Sequence, residues 1–357
     1  MAVYKVAIVG LGIGRAHLEE AYSKLTDRFQ VVALCDLNTE RLAATGRDFG
    51  IDRLVTSLDD VLAMADVDIV DICTPPSLHL EQSLAVLGAG KHVICEKPLV
   101  GSLAQMDVLE QAEAQSKGRV LPIFQYRWGT GFLKARELVR RGLVGKAYVA
   151  SCETHWQRGA DYYAIAWRGK LDIELGGILL SQAIHLHDMM CELMGPVERV
   201  YAEATTRVNP IEVEDCVAAS LKMANGSLVS LSCTLGAKAE VSRLKACFEH
   251  VTIESAYEPY APGNDPWQFT VAEGPEGEAI TAALAGMDAV QSRFHGQLIS
   301  YHGALSGQGE WPVTLADARR SLELITALYD SAARHVPVTL PIKPDHALYG
   351  DWRTRLV

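Results

Sequence analysis

The apolar run His92-Val93-Ile94-Cys95 ends in Glu96-Lys97-Pro98, so Lys97 stands where a buried strand would meet solvent. A lysine there can act on a bound substrate. Taken alone, the tripeptide reads as a strand cap. A second candidate lies in Ser181-Gln182-Ala183-Ile184-His185-Leu186-His187-Asp188, where polar side chains interrupt an apolar stretch. On a regular helix Ser181, His185 and Asp188 share one face at i, i+4 and i+7, while His187 points elsewhere. An imidazole of ordinary pKa, about 6.5, is suited to exchanging an alcohol proton near neutral pH. Alone, His185 reads as a core histidine. His185 and His187 at i, i+2 cannot share a metal ion on a regular helix, and no third ligand is suitably spaced, so no metal is expected.

Lys97 needs a scaffold that brings strand ends together. Residues 4–123 alternate β-like runs (4–9, 30–35, 69–73, 92–95 and 120–124) with helical stretches (13–24, 39–49, 58–64, 78–89 and 103–115), the pattern of a parallel sheet with crossover helices. Right-handed crossovers bring all the strand ends to one edge, where open α/β sheets bind ligands.

Gly10-Leu11-Gly12-Ile13-Gly14-Arg15 lies between the first strand and the first helix, where backbone N–H groups can approach a pyrophosphate. It departs from GxGxxG, because the third glycine comes one residue early and Arg15 takes its place. By itself it reads equally as a tight turn. Asp36, 22 residues past Gly14 at the end of the second strand, can accept hydrogen bonds from ribose hydroxyls, and together the two point to a dinucleotide. A 2′-phosphate about 4 Å from that carboxylate is repelled by roughly 4 kcal/mol per charge pair at an effective dielectric near 20, which favours NAD over NADP. Arg41 lies close enough to offset part of this. Thr74-Pro75-Pro76-Ser77-Leu78-His79 follows the third strand; it reads either as a lining for the nicotinamide side or as a rigid turn before a helix.

Beyond Lys146 the pattern changes to strands joined by turns: 146–156, 199–208, 214–224, 227–235 and 242–255. Asn225-Gly226 predicts a type I′ hairpin. One helix is expected from Gly176 to Gly195-Pro196, and a last one over 315–334. Two domains are expected, 1–123 for the dinucleotide and 124–357 beyond it. Trp156, Arg158, Tyr162, Tyr163, Trp167 and Arg168 crowd a predicted loop, either to bind a sugar or cofactor face or to pin the loop by packing.

The chain has 33 basic and 44 acidic residues, a net charge of -11 without long like-charge runs, which disfavours a nucleic-acid surface. Its eight cysteines form no CxxC pair and read as reduced thiols, and no run of membrane-spanning length occurs. A cytoplasmic protein without membrane or nucleic-acid partners is expected.

Taken in order, 10–17, Asp36, Thr74-Pro75 with His79, Glu96-Lys97-Pro98, Trp167-Arg168-Gly169, 176–188, Glu214-Asp215 before Asn225-Gly226, and Pro312-Val313 resemble the glucose-fructose oxidoreductase and inositol dehydrogenase family, Gfo/Idh/MocA. The resemblance spans nearly the whole chain. It implies an α/β fold: an amino-terminal Rossmann domain with a parallel sheet, and a carboxyl-terminal α/β domain, 124–357, with a large open, mostly antiparallel sheet that serves substrate binding and oligomerisation. It implies NAD-dependent oxidation of a secondary hydroxyl on a sugar, cyclitol or sugar derivative, with Lys97 and His185 facing each other across the nicotinamide, and a homodimer or homotetramer. By the same resemblance Glu96 and Gln125 lie near the nicotinamide and its ribose, and Trp167-Arg168 near the cofactor phosphates. Gly10, Gly12, Ile13, Gly14, Asp36, Thr74, Pro75, His79 and Lys97 complete the expected cofactor set. Trp156, Arg158, Tyr163, Ser181, Gln182 and His295 join Lys97 and His185 as expected substrate residues. Many relatives carry aspartate where this chain has Ser181, which removes an aspartate-assisted proton relay and leaves Lys97 more of the electrostatic work. A glycoside-cleaving enzyme with transient oxidation and a non-catalytic NAD or sugar sensor remain alternatives on the same fold.

Overall fold

The computed structural model describes residues 2–353. The chain divides into two compact units: residues up to Ile123 with Phe294–Arg319, and Phe124–Arg293 with the residues from Arg320 on. The segment 294–319, counted with the second domain in the sequence expectation, thus belongs to the first unit.

The first unit is built on strands β1 (Tyr4–Val9), β2 (Phe29–Cys35), β3 (Leu54–Val55), β4 (Ile69–Ile72), β5 (His92–Cys95) and β6 (Val120–Pro122), in the order β3-β2-β1-β4-β5-β6 and parallel throughout. The two-residue β3 was not expected from the sequence, being too short for a periodic signal. β4 and β5 are buried almost residue by residue, as strands covered on both faces must be. The crossovers are helices α1 (Gly14–Glu20), α2 (Thr39–Phe49), α3 (Leu58–Leu62), α4 (His79–Gly88) and α5 (Leu103–Gln115). Asn38 caps α2 by accepting the N–H of Arg41, and left-handed Gly50 ends it. Ser102 caps α5 through the N–H of Gln105.

The second unit holds strands β7 (Ala147–Gln157), β8 (Val197–Thr205), β9 (Cys216–Met223), β10 (Leu228–Thr234), β11 (Gly236–Phe248), β12 (Val251–Glu254), β13 (Gln268–Val271) and β14 (Val338–Thr339). They form one sheet, β13-β12-β11-β7-β10-β9-β8-β14, antiparallel except for the parallel pair β7 and β10. Alternating burial along β11 marks a sheet with one covered face. The run 242–255 is two paired strands rather than one, because the chain turns after Phe248. Asn225 is not left-handed while Gly226 is, at φ 88°. The Gly226 N–H returns to the Met223 carbonyl and Met223 pairs with Ser227, a three-residue loop ending in a glycine bulge instead of the expected type I′ turn. No helix among the described residues is long and apolar enough to cross a membrane.

Candidate active site

In the first unit the glycine turn divides its work among three residues. Gly10 has φ 89°, and a Cβ there would lie 2.7 Å from the Cys73 carbonyl oxygen. At Gly14 a Cβ would meet the Ile8 side chain at 2.8 Å, so this glycine lets α1 lie close on β1 although it comes one residue early. A Cβ at Gly12 would meet nothing within 4 Å, and Ile13 beside it is exposed: this is the open part of the turn. Asp36, buried at the end of β2, accepts the Leu11 N–H at 2.7 Å through Oδ2 and the Asn38 N–H at 2.8 Å through Oδ1. Arg41 grips both oxygens, Nε at 3.0 Å and a terminal nitrogen at 2.8 Å. Burial would raise this carboxyl, but the Arg41 pair and the two backbone donors outweigh it and hold Asp36 below the usual carboxylate range.

The turns after β4 and β5 are tied together from behind. His79 is buried, with Nδ1 2.7 Å from the Pro98 carbonyl and Nε2 2.8 Å from that of Thr74. Expected at the cofactor, this ring has both nitrogens committed to backbone, and its effect on the site is to fix Thr74-Pro75 against the turn of Lys97. The Thr74 hydroxyl donates to Gln82 at 2.6 Å. Glu96 is buried, and its Oε2 accepts the Lys97 backbone N–H at 3.0 Å.

In the second unit the expected helix is interrupted. Helix Ile178–Ser181 is followed by helix Ile184–Met194, and the Ala183 N–H reaches back five residues to the Ile178 carbonyl at 2.8 Å, a π-type step that inserts one residue. One added residue turns the second helix by about 100° relative to the first. The regular i, i+4 register of Ser181 and His185 is therefore lost. Ser181 donates to Glu174 Oε1 at 3.0 Å, and Glu174 Oε2 takes the Gly169 N–H at 2.5 Å. His185 is buried with its ring stacked on Tyr126, centroids 4.3 Å apart and planes at 25°. Asp188 forms a buried two-pronged pair with Arg127, both contacts at 2.6 Å. Burial pushes His187 down to about 3, which marks it as a neutral core residue.

The aromatic cluster is only partly a loop. Trp156 lies on β7, buried, with Nε1 donating to Ser242 at 3.1 Å. Arg158 is surrounded by the rings of Trp156, Tyr162 and Tyr260 at 4.9, 5.1 and 5.6 Å and paired with Glu240 at 2.7 Å. Arg168 lies over Tyr162 and Trp167, at 4.0 and 4.4 Å, and donates to the Tyr162 hydroxyl. Gln182 Nε2 donates to the same hydroxyl at 3.0 Å, and Tyr163 packs edge-on against Tyr162.

Residues 4–124 match the Gfo/Idh/MocA oxidoreductase family with its NAD-binding Rossmann fold, and residues 132–254 match the carboxyl-terminal domain of the same family. The chain belongs to the Gfo/Idh/MocA family. Myo-inositol 2-dehydrogenase of Thermotoga maritima is 29% identical over 209 residues, 57% of this chain and 59% of that protein. Levoglucosan dehydrogenase of Pseudarthrobacter phenanthrenivorans is 25% identical over 265 residues, 65% and 67% of the two chains. The first of these matches spans about three fifths of its relative. Among solved structures, the WlbA dehydrogenase of Bordetella pertussis in complex with NADH and UDP-GlcNAcA superposes with a TM-score of 0.82 at 28% identity, over 96% of this chain and 100% of that one.

The residues present fit the dinucleotide this Gfo/Idh/MocA fold implies. The turn is open at Gly12 beside the anchored Asp36 carboxylate. His295, expected with the substrate residues, lies in the first unit, and the charges acting on it are those of Lys24 and Arg28, which precede β2. Glu174 and Tyr126 were missed, because an isolated acid or ring shows its partner only once the chain is folded.

Proposed function

We propose that the chain is an NAD-dependent dehydrogenase that oxidises a secondary hydroxyl of a sugar, cyclitol or sugar derivative. The observation that carries this reading is the Asp36 carboxylate, anchored by the N–H of the glycine turn at the carboxyl edge of the sheet that also ends in Glu96-Lys97. Gly10, Gly12, Ile13 and Gly14 would admit the pyrophosphate, Asp36 the adenosine ribose, Thr74, Pro75, Glu96 and Gln125 the nicotinamide end, and Trp167 and Arg168 the phosphates. When bound, the nicotinamide supplies a hydride acceptor for the carbinol C–H. Lys97 holds the reacting oxygen by its charge, and His185, its ring steadied by Tyr126, exchanges the hydroxyl proton.

Ser181, held by its bond to Glu174, and Gln182 would bring neutral polar groups to the substrate, and Gln182 offers its Oε1 as an acceptor. Trp156, Arg158 and Tyr163 form the neighbouring aromatic wall, and the Glu240 carboxylate offsets the Arg158 charge. A homo-oligomer is part of this proposal, supported by exposed Val149 and Leu228 side by side on neighbouring strands of the open sheet. The test is a screen of inositols, monosaccharides, anhydrosugars, sugar acids, glycosides and UDP-sugar acids with NAD and NADP, followed at 340 nm. Net NADH formation with one class supports a dehydrogenase. Glycoside cleavage without net NADH, or binding without turnover of any class, overturns it.

A further inference from the structure

A buried charge cluster of the first unit lies behind the turn of Lys97. His17 on α1 places Nδ1 2.8 Å from Asp71 on β4 and Nε2 3.1 Å from Glu96 after β5. All three side chains are under a tenth exposed. Asp71 Oδ2 also accepts the Tyr22 hydroxyl at 2.9 Å, and its Oδ1 faces the Cys73 thiol at 3.4 Å. Glu96 Oε2 accepts the Lys97 N–H. Each carboxylate thus faces further donors besides the ring, and an ionised carboxylate only accepts. Two acceptors on opposite nitrogens of one ring require a proton on each nitrogen.

We propose that His17 is a positioning residue held as an imidazolium between Asp71 and Glu96, and that it keeps the Glu96 carboxylate ionised and aimed at the backbone of Lys97. Burial disfavours a charged imidazole, but Asp71 outweighs it and raises His17 well above its ordinary value. Burial likewise opposes ionised Glu96, and the His17 bond overrides it. The other groups acting on the pair are Lys97 and His79 beside Glu96, Tyr301 beside Asp71, and the uncharged Phe294 ring 4.3 Å from His17. His17, Asp71 and Cys73 also offer three ligand atoms within 4.8 Å of one another, so a metal ion is the rival occupant of the same cluster. A metal would need the Nδ1 proton and the thiol proton removed, and burial pushes the Cys73 thiol up.

Neutron diffraction from wild-type crystals near pH 8 tests the charge state without any variant. Deuterium on both His17 nitrogens with bare Asp71 and Glu96 is the expected result. A bare ring nitrogen, a deuterated carboxyl, or a stoichiometric metal in the purified protein overturns the proposal. The consequence for binding rests on the dehydrogenase reading and is read separately. His17→Gln removes the counter-charge, so Glu96 takes up a proton at the acid end, and NAD is expected to bind about tenfold more weakly at pH 6 than at pH 8 relative to wild type. Adding Glu96→Gln to that variant abolishes the added pH dependence. An equal loss at both pH values overturns the positioning role, whereas failure of the wild-type protein to bind NAD overturns the dehydrogenase reading and leaves the neutron result to decide this one.

Discussion

In the first unit Asp36, Glu96 and Lys97 stand at the carboxyl ends of parallel strands, whereas in the second Ser181, Gln182 and His185 flank a π-type step in a buried helix. The first set is placed by backbone: strand order, crossover direction and a glycine turn determine where each residue emerges. The second is placed by side-chain packing, with His185 against Tyr126, Ser181 on Glu174 and Gln182 on Tyr162. Substitution in the first set should therefore remove one chemical function and leave the fold, while substitution in the second should disturb geometry and proton exchange together.

Lys97→Ala gives the largest expected effect, turnover reduced below detection with NAD affinity within about threefold of wild type, since the loss of a charge felt at the reacting oxygen falls on kcat. Isothermal titration with NAD beside single-turnover kinetics separates the two, and NAD reduction near the wild-type rate removes Lys97 from the mechanism. His185→Ala should lower kcat by about 10² to 10⁴, most at neutral pH where an imidazole exchanges protons best. An unchanged pH profile excludes it as the acid–base group. Tyr126→Leu, which takes away the stacked ring, should reproduce part of that loss if packing places His185.

The contrast also explains what could be read from residues alone. Strand ends, the glycine turn and Asp36 were legible because parallel sheets repeat one connection, so a single chain suffices to order them. The last helix, Leu315–Arg334, was legible from its apolar spacing. The extra residue between Ser181 and His185 was not, because Ile178 to Ile184 keeps an apolar pattern compatible with a regular helix. Glu174 and His17 carry meaning only through partners five and more residues away.

Glu214 extends the packing side of the comparison. It lies buried beneath Gly177 and Leu179, accepting both N–H groups and the Tyr329 hydroxyl, and burial still pushes it up from 4.5 to about 7. A carboxyl raised on folding contributes stability that is present in full below about 4.5 and is lost as pH rises through about 7, here roughly 3 kcal/mol. Glu214→Gln should lack that part of the decline, measured as denaturant midpoints at pH 5 and pH 8. Equal slopes in variant and wild type would place the strain elsewhere.

On the backbone side, Gly10 and Gly12 separate fold from ligand. An alanine at Gly10 collides with the Cys73 carbonyl at a left-handed φ, so Gly10→Ala should lose stability; at Gly12 the methyl has open space, so Gly12→Ala should keep the melting temperature and weaken NAD about tenfold. Unchanged NAD affinity in a folded Gly12→Ala protein would move the pyrophosphate away from this turn.

The smallest expected effect concerns which dinucleotide is used. Arg41 is about half exposed and paired in two prongs with buried Asp36, so it offsets part of the negative charge that a 2′-phosphate would meet. The Coulomb figure of roughly 4 kcal/mol for a close pair is cut by solvent at so exposed a guanidinium to about 1 kcal/mol. Arg41→Ala should then raise the NAD over NADP preference about fivefold in kcat/KM. Asp36→Ala should shift the ratio the other way by more, because it removes the repelling charge and frees the guanidinium at once. If Arg41→Ala instead loses NAD and NADP equally, the guanidinium acts by holding Asp36 in place, and the cofactor choice is set by the carboxylate alone.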